Sequence, residues 1–208
     1  MTVPLAKLLE CSAARHKHLC PRQVLGVRMG FLAGQLMQLS LPQSNKRLIT
    51  IVETDGCFAD GIAVATGCEL GHRTLRLVDF GKVAATFIDT VTEDAFRISV
   101  CCESRERAAA LNDHNASRWQ AYLDAYEVMP ADKLFVVQPV KLLFSISHLV
   151  SKPTYRVVCA ECREEIFNQR EVVVEDRVLC AACAGKTYYT SEAQLDAEAF
   201  PPAVVGVP

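Results

Sequence analysis

The sequence predicts an α+β protein, with helices layered on a largely antiparallel sheet and a small C-terminal four-cysteine zinc ribbon. Two observations carry this. Over residues 1–150, helical and strand-like segments follow one another as α-β-α-β-β-β-α, without the strict strand–helix alternation of a parallel sheet. Near the C-terminus, Cys159-Ala-Glu-Cys162 and Cys180-Ala-Ala-Cys183 stand seventeen residues apart, inside the roughly 15–20-residue separation of paired zinc knuckles.

The elements follow in order. Pro21 suits the first position of a helix, where a backbone N–H would have no partner anyway, so a helix is expected from Pro21 to about Gln38 with Cys20 at its cap. Gly26, Gly30 and Gly34 recur every fourth residue and make one smooth face. Such a face admits another backbone, within the domain or across a dimer interface. Leu48–Glu53 reads as a strand, Thr54-Asp55-Gly56 as a turn, and Cys57 leads into a short helix over 58–66. Three strands are expected over 75–80, 83–89 and 96–101. In the last, Arg97 and Ser99 alternate with Ile98 and Val100, which predicts one wet face. The stretch from Glu103 to about Tyr126, rich in Ala, Arg, Glu and Leu, predicts one long helix, with Trp119 and Tyr122 as packing residues. Leu134–Val137 adds a short extended piece. The composition changes at Ser151-Lys152-Pro153, giving a large domain over 1–150, a ribbon over 151–190 and a tail over 191–208 that is either loose or draped on a neighbour.

Within the ribbon, Glu171–Glu175 and Arg177–Leu179 read as two strands turning at Glu175-Asp176. Each CxxC pair sets two thiolates on one side of a turn, so Cys159, Cys162, Cys180 and Cys183 close a tetrahedron around structural Zn²⁺ with no open position. The alternative is two disulfides, which needs an oxidising compartment.

Composition narrows the setting. A net charge of −2 over 208 residues offers no strong field for phosphates. The ribbon's arginines and lysine are offset by Glu161, Glu164, Glu165, Glu171, Glu175 and Asp176, so nucleic acid is not an expected partner. Half the residues are hydrophobic, which excludes general disorder. The apolar run Val24–Leu39 carries Arg28, Gln35 and Gln38 and is short for a bilayer, so no membrane association is expected. No basic start followed by an apolar stretch suggests export, and the expected location is the cytoplasm. Ten cysteines there point to metal or thiol chemistry.

A second cluster of ligand-type side chains lies at the N-terminus. His16, His18 and Cys20 occupy alternate positions, which share one direction in an extended segment. Imidazole and thiolate both suit zinc, and a second metal ion, Zn²⁺ on ligand type, is the expectation here. Cys20 and Cys57 each precede a helix, whose dipole lowers a thiol pKa, so Cys57 is the candidate nucleophile. The alternative is solvated histidines beside a buried, inert cysteine. Cys68 is a weaker candidate ligand, or else a small core residue. Asp79 and Lys82 flank a glycine turn and read as an ion pair or as a clamp on a small ligand. Cys101 and Cys102 are adjacent, which in a strand sends at least one to the core.

Several of these motifs together resemble the E-subunit family of formylmethanofuran dehydrogenase. They are His16, His18, Cys20 and Pro21; the glycine-bearing helix; Val52–Cys57; Thr66-Gly67-Cys68; and Asp79-Phe80-Gly81-Lys82. The C-terminal ribbon is similar to one that many members carry. The resemblance spans about residues 10–105 and 155–190. It implies an α+β domain, a homodimer, and a setting beside molybdenum or tungsten enzymes of anaerobic one-carbon metabolism. Lys17 and Arg22 stand where glycines are usual in the family, which implies a different ligand or one that is anionic. Three readings of function follow: a metal- or thiol-site accessory protein, a small-molecule metalloenzyme using the His/Cys site, and a zinc-ribbon interaction or regulatory protein.

Overall fold

A computed structural model describes residues 3–111, 117–149 and 154–190. The backbone contacts divide the chain into two compact units, Met1–Val150 and Ser151–Pro208.

The first unit is built on a five-stranded sheet in the order β2-β1-β3-β4-β5. Its strands are β1 (Leu48–Val52), β2 (Leu75–Leu77), β3 (Ala84–Asp89), β4 (Ala95–Val100) and β5 (Phe135–Pro139). Only β1 and β2 run parallel; β1–β3, β3–β4 and β4–β5 are antiparallel. The expected α+β architecture with a largely antiparallel sheet is therefore present.

Alternation along the strands decides the two faces. Leu48, Val52, Ala85, Phe87 and Ile98 point into the main core. They meet Val24, Leu25 and Met29 of α2 (Pro21–Leu36) and Phe58 and Ile62 of α3 (Cys57–Thr66). Ile49, Ile88 and Ala95 point the other way, where Val140, Leu142, Ile146 and Leu149 cover them. On that second face Glu53, only 5% exposed, grips Arg97 through bonds of 2.6 and 2.7 Å.

Helices α2 and α3 pack backbone to backbone. A Cβ on Gly26 would fall 2.3 Å from the Phe58 carbonyl oxygen, and one on Gly61 2.5 Å from that of Gln23. Gly30 faces Ala65, and Gly34 faces Leu41. The glycine face is thus used inside the domain, against α3 and the segment after α2.

The structure departs from the expected elements in three places. A helix, α1 (Leu5–His16), precedes α2 and buries Leu8 against Val27 and Ala65. Lys17 ends it in the left-handed conformation (φ 63°), so His16 is helical and the segment to Cys20 is not one extended strand. The expected long helix is two: α4 (Ser104–Ala110) and α5 (Arg118–Val128), the second capped by Ser117, whose hydroxyl accepts from the Gln120 N–H at 3.2 Å. Cys101 and Cys102 follow β4 rather than sit in it, and neither enters the core.

The second unit holds two hairpins: β6 (Arg156–Val158) with β7 (Glu165–Phe167), and β8 (Val172–Val174) with β9 (Arg177–Leu179). Glu175 and Asp176, with φ of 47° and 62°, form the expected two-residue turn, in the doubly left-handed form that suits a twisted hairpin. The expected tail, 191–208, lies outside the described residues.

Candidate metal and thiol sites

The ribbon cysteines converge. Cys159, Cys162, Cys180 and Cys183 each offer a sulfur, all within 4.8 Å of one another. Cys162 and Cys180 sulfurs lie 3.9 Å apart. A tetrahedron with Zn–S bonds of about 2.3 Å has sulfur edges of about 3.8 Å, so the set fits the ion. The knuckle backbones prepare the charge. Burial pushes the Cys159 thiol up, but the N–H groups of Cys180, Cys162 and Glu161 outweigh it and bring it down to about 6. Cys183, sharing its hydrogen with Cys180 and buried beside the other sulfurs, is pushed up to about 12. A first thiolate forms readily and a last one resists, as expected of four thiols waiting on a dication. Ile166, Leu179 and Val157 pack around Cys159.

The N-terminal candidates are positioned by tertiary packing. Cys20 caps α2 with a thiol in the place of a hydroxyl. Its sulfur accepts from the Gln23 N–H at 3.4 Å, while the Gln23 side-chain oxygen accepts from the Cys20 N–H at 2.9 Å. The other end of the Gln23 amide donates to the Ser12 carbonyl at 2.8 Å and hydroxyl at 3.1 Å, which pins α1 beside the cap. Cys57 opens α3, and close packing of α2 on α3 sets its thiol against Cys20. Burial first, then the Cys20 thiol, pushes Cys57 up. The shift is opposite to the low-pKa thiol expected at a helix start, because the two thiols share one partly buried space.

His16 reaches α3 instead of the cysteines: its Nε2 lies 2.5 Å from an Asp60 carboxylate oxygen, and Arg15 approaches the other at 3.6 Å. The His18 ring stands edge-on to His16 at 6.3 Å and is exposed. Asp60 also raises Cys57. The structure therefore gathers a thiol pair and a histidine–carboxylate pair at the starts of two helices. Among the described residues, only the ribbon brings three or more ligand atoms within 4.8 Å. Sequence reasoning missed Asp60; its place three residues after Cys57, one helical turn on, was the available signal.

The remaining candidates fall elsewhere. Cys68, 1% exposed, accepts from the Thr50 hydroxyl at 3.4 Å and packs in the core. Asp79 accepts from the Gly81 N–H at 2.9 Å and shapes the turn. No ion pair joins it to Lys82 among the described residues; Lys82 instead sits over the Phe80 ring, 5.9 Å from its centre. Lys82 and Cys20 both line a cavity of about 720 Å³ beside the first turn of α2, with Arg97, Trp119 and Tyr122 in its wall. The expected wet face of β4 and the aromatic residues of α5 thus border one space. That was not readable locally, because its walls come from segments far apart in the chain.

Fold and cysteine cluster together define a small α+β protein carrying an appended four-cysteine zinc finger. Residues 15–136 match the family model described as FmdE, Molybdenum formylmethanofuran dehydrogenase operon, and the chain belongs to that family. Residues 153–189 match the prokaryotic dksA/traR C4-type zinc finger, which with the four-sulfur cluster marks a structural zinc site. A protein of Archaeoglobus fulgidus described as a probable S-adenosyl-L-methionine-binding protein is 34% identical over 103 residues, 48% of this chain but 28% of that protein. The crystal structure of an FmdE-like protein of the tungsten formylmethanofuran dehydrogenase type from Syntrophus aciditrophicus has the same fold. Its TM-score is 0.54 at 23% identity, over 89% of this chain and 95% of that one. No helix among the described residues is long and apolar enough to cross a membrane.

Proposed function

We propose that this chain is a cytoplasmic, homodimeric accessory protein of the FmdE type that holds a second metal ion at its N-terminal thiol site. It serves a molybdenum- or tungsten-dependent enzyme of anaerobic one-carbon metabolism. The supporting observation is the placement of the Cys57 thiol against Cys20 at two helix starts, with His16 and Asp60 alongside. Cys20 and Cys57 would be the sulfur ligands, and His16 or His18 the nitrogen ligand. Zn²⁺ suits this donor set and, when bound, would supply Lewis acidity at any position left to solvent. Before that, burial and the neighbouring Cys20 keep the Cys57 thiol protonated, and Asp60 orients the His16 ring. The adjoining cavity supports a small-molecule ligand, in keeping with the name of the Archaeoglobus relative.

Metal analysis of anaerobically purified protein tests this reading. Wild-type protein should carry two zinc ions per chain, and a Cys20→Ser/Cys57→Ser variant one. Equal metal content in the two would remove the site.

A further inference from the structure

We propose that the cavity beside α2 binds a small organic anion bearing a flat ring. The inference deepens the reading of the thiol site, since Cys20 forms part of the cavity wall, but it stands on different residues.

Charge comes first. Arg22, Lys82, Arg97 and Arg105 line the cavity, and no Asp or Glu does. Arg97 is neutralised from outside by Glu53. Arg22, Lys82 and Arg105 have no ion-pair partner among the described residues. In a chain of net charge −2, three such cations around one concavity form a local positive field. Such a field draws an anion and strengthens as a ligand displaces water.

Shape and chemistry of the wall come second. Trp119 is 46% exposed although it faces the concavity, and Tyr122 stacks on Tyr126 with ring planes 8° apart. These flat faces offer a stacking surface for a ring. The volume of about 720 Å³ lies within the roughly 300–1,000 Å³ of small-molecule sites.

A third observation is independent of both. Ser104 lines the cavity and is 1% exposed, yet its hydroxyl has no aligned hydrogen-bond partner. It lies against the Tyr126 phenol, which burial pushes up and which Ser104 and Arg105 only partly draw back. A buried hydroxyl without an aligned bond costs stability unless a ligand completes it. An anionic oxygen arriving between the cations supplies that acceptor.

The chain holds a single tryptophan, Trp119, so its emission reports on the cavity. The experiment uses full-length protein with 4-nitrobenzoate as the anionic ring probe and 4-nitrobenzyl alcohol as its neutral counterpart, with quenching of Trp119 read at corrected absorbance. The expected result is saturable quenching by the anion, at least roughly tenfold tighter than by the alcohol, a discrimination within reach of one charge-assisted contact. An Arg22→Gln/Lys82→Gln/Arg105→Gln variant should lose that preference. Should it fold poorly, Lys82→Gln alone, at an exposed turn, should weaken the anion severalfold without changing the neutral probe. Equal affinity for both probes, or quenching that does not saturate, would overturn the proposal. The Cys20→Ser/Cys57→Ser variant separates the two readings. Loss of one zinc with the anion preference kept leaves both standing, and anion binding to a wild type holding one zinc leaves only the cavity.

Discussion

The ribbon and the N-terminal site both bring thiols together and assemble them in opposite ways. The ribbon takes four sulfurs from two knuckles, each closed within four residues, and its own backbone N–H groups prepare the thiolates. The N-terminal site draws Cys20, Cys57, His16 and Asp60 from segments up to 44 residues apart and depends on α1, α2 and α3 packing correctly. A site made of local turns must be held by its metal, because so small a unit has little core. A site made by packing is held by the fold, and a metal there would be a guest.

The largest effect should come from breaking the ribbon. Cys159→Ser or Cys180→Ser should release its zinc and unfold residues of about 155–190, since structural zinc contributes about 10–16 kcal/mol of apparent binding energy to local folding. Amide exchange should show β6–β9 unprotected while β1, β3 and β4 keep their protection. Protection retained in β6–β9 of a zinc-free variant would end the contrast.

The second effect tests the claim that packing holds the thiol pair. Gly26→Ala drives a Cβ to 2.3 Å from the Phe58 carbonyl, a backbone atom that cannot turn aside. The helices should separate, at a cost of roughly 1–3 kcal/mol. The ribbon should be untouched. Thermal melting gives the cost, and metal analysis should show the proposed N-terminal zinc weakened along with it. Gly34→Ala meets a leucine side chain at 3.1 Å and should cost less.

These two regions also differ in how far the sequence revealed them. The ribbon's ligand spacing is a local pattern, and the structure closes it on one sulfur cluster. The sheet was legible from period-two apolar runs, and Pro21 and the glycines announced α2. Helix α1 was hidden because its cap, Pro4, has no side chain that bonds a backbone N–H. The alternation of His16, His18 and Cys20 suggested a strand, whereas the face formed by Leu8 and Ser12 made a helix. Ser117 and the helix-poor Asn112-Asp113-His114-Asn115 before it were local signals of a break, outweighed by the Ala-, Arg- and Glu-rich flanks. The cavity was not legible at all, because Cys20, Lys82, Ser104 and Trp119 meet only in three dimensions.

A smaller effect should follow from Asp60→Asn. In the tautomer where His16 Nε2 donates to the carboxylate, Nδ1 is left for a metal. The amide keeps the shape and removes the charge that orients and strengthens the ring. Loss of such an outer partner typically costs roughly 10–100-fold in metal affinity. Competition with a chelator should show that loss at the proposed N-terminal zinc and none at the ribbon zinc. An unchanged second affinity would leave His18, not His16, as the nitrogen ligand.

The smallest effect concerns acid, which should reach the two regions by different routes. In the ribbon, protons compete with zinc for the sulfurs. In the large unit one acid-sensitive group is Asp89, which lies apart from the thiol site. This carboxylate is 2% exposed at the end of β3. Arg47 donates to it from two nitrogens, at 2.8 to 3.1 Å, and the Val91 N–H donates at 2.9 Å. The Arg47 hydrogen bonds hold Asp89 below the usual carboxylate range, against the opposing effect of burial. A carboxylate with a depressed folded pKa stabilises the fold at every pH above its unfolded value, and that contribution disappears as pH falls through the folded value. The large unit should therefore lose stability below about pH 4, where an unperturbed aspartate begins to take up its proton. In chelator-treated protein, which removes the zinc route, Asp89→Asn should flatten this loss while lowering stability at neutral pH, because its amide accepts less strongly from Arg47. Part of the pair is open to solvent, so added salt should shrink the difference between the variants. Parallel acid melts of wild type and Asp89→Asn, with the same slope from about pH 6 to about pH 3, would show that Asp89 takes no part in the acid response.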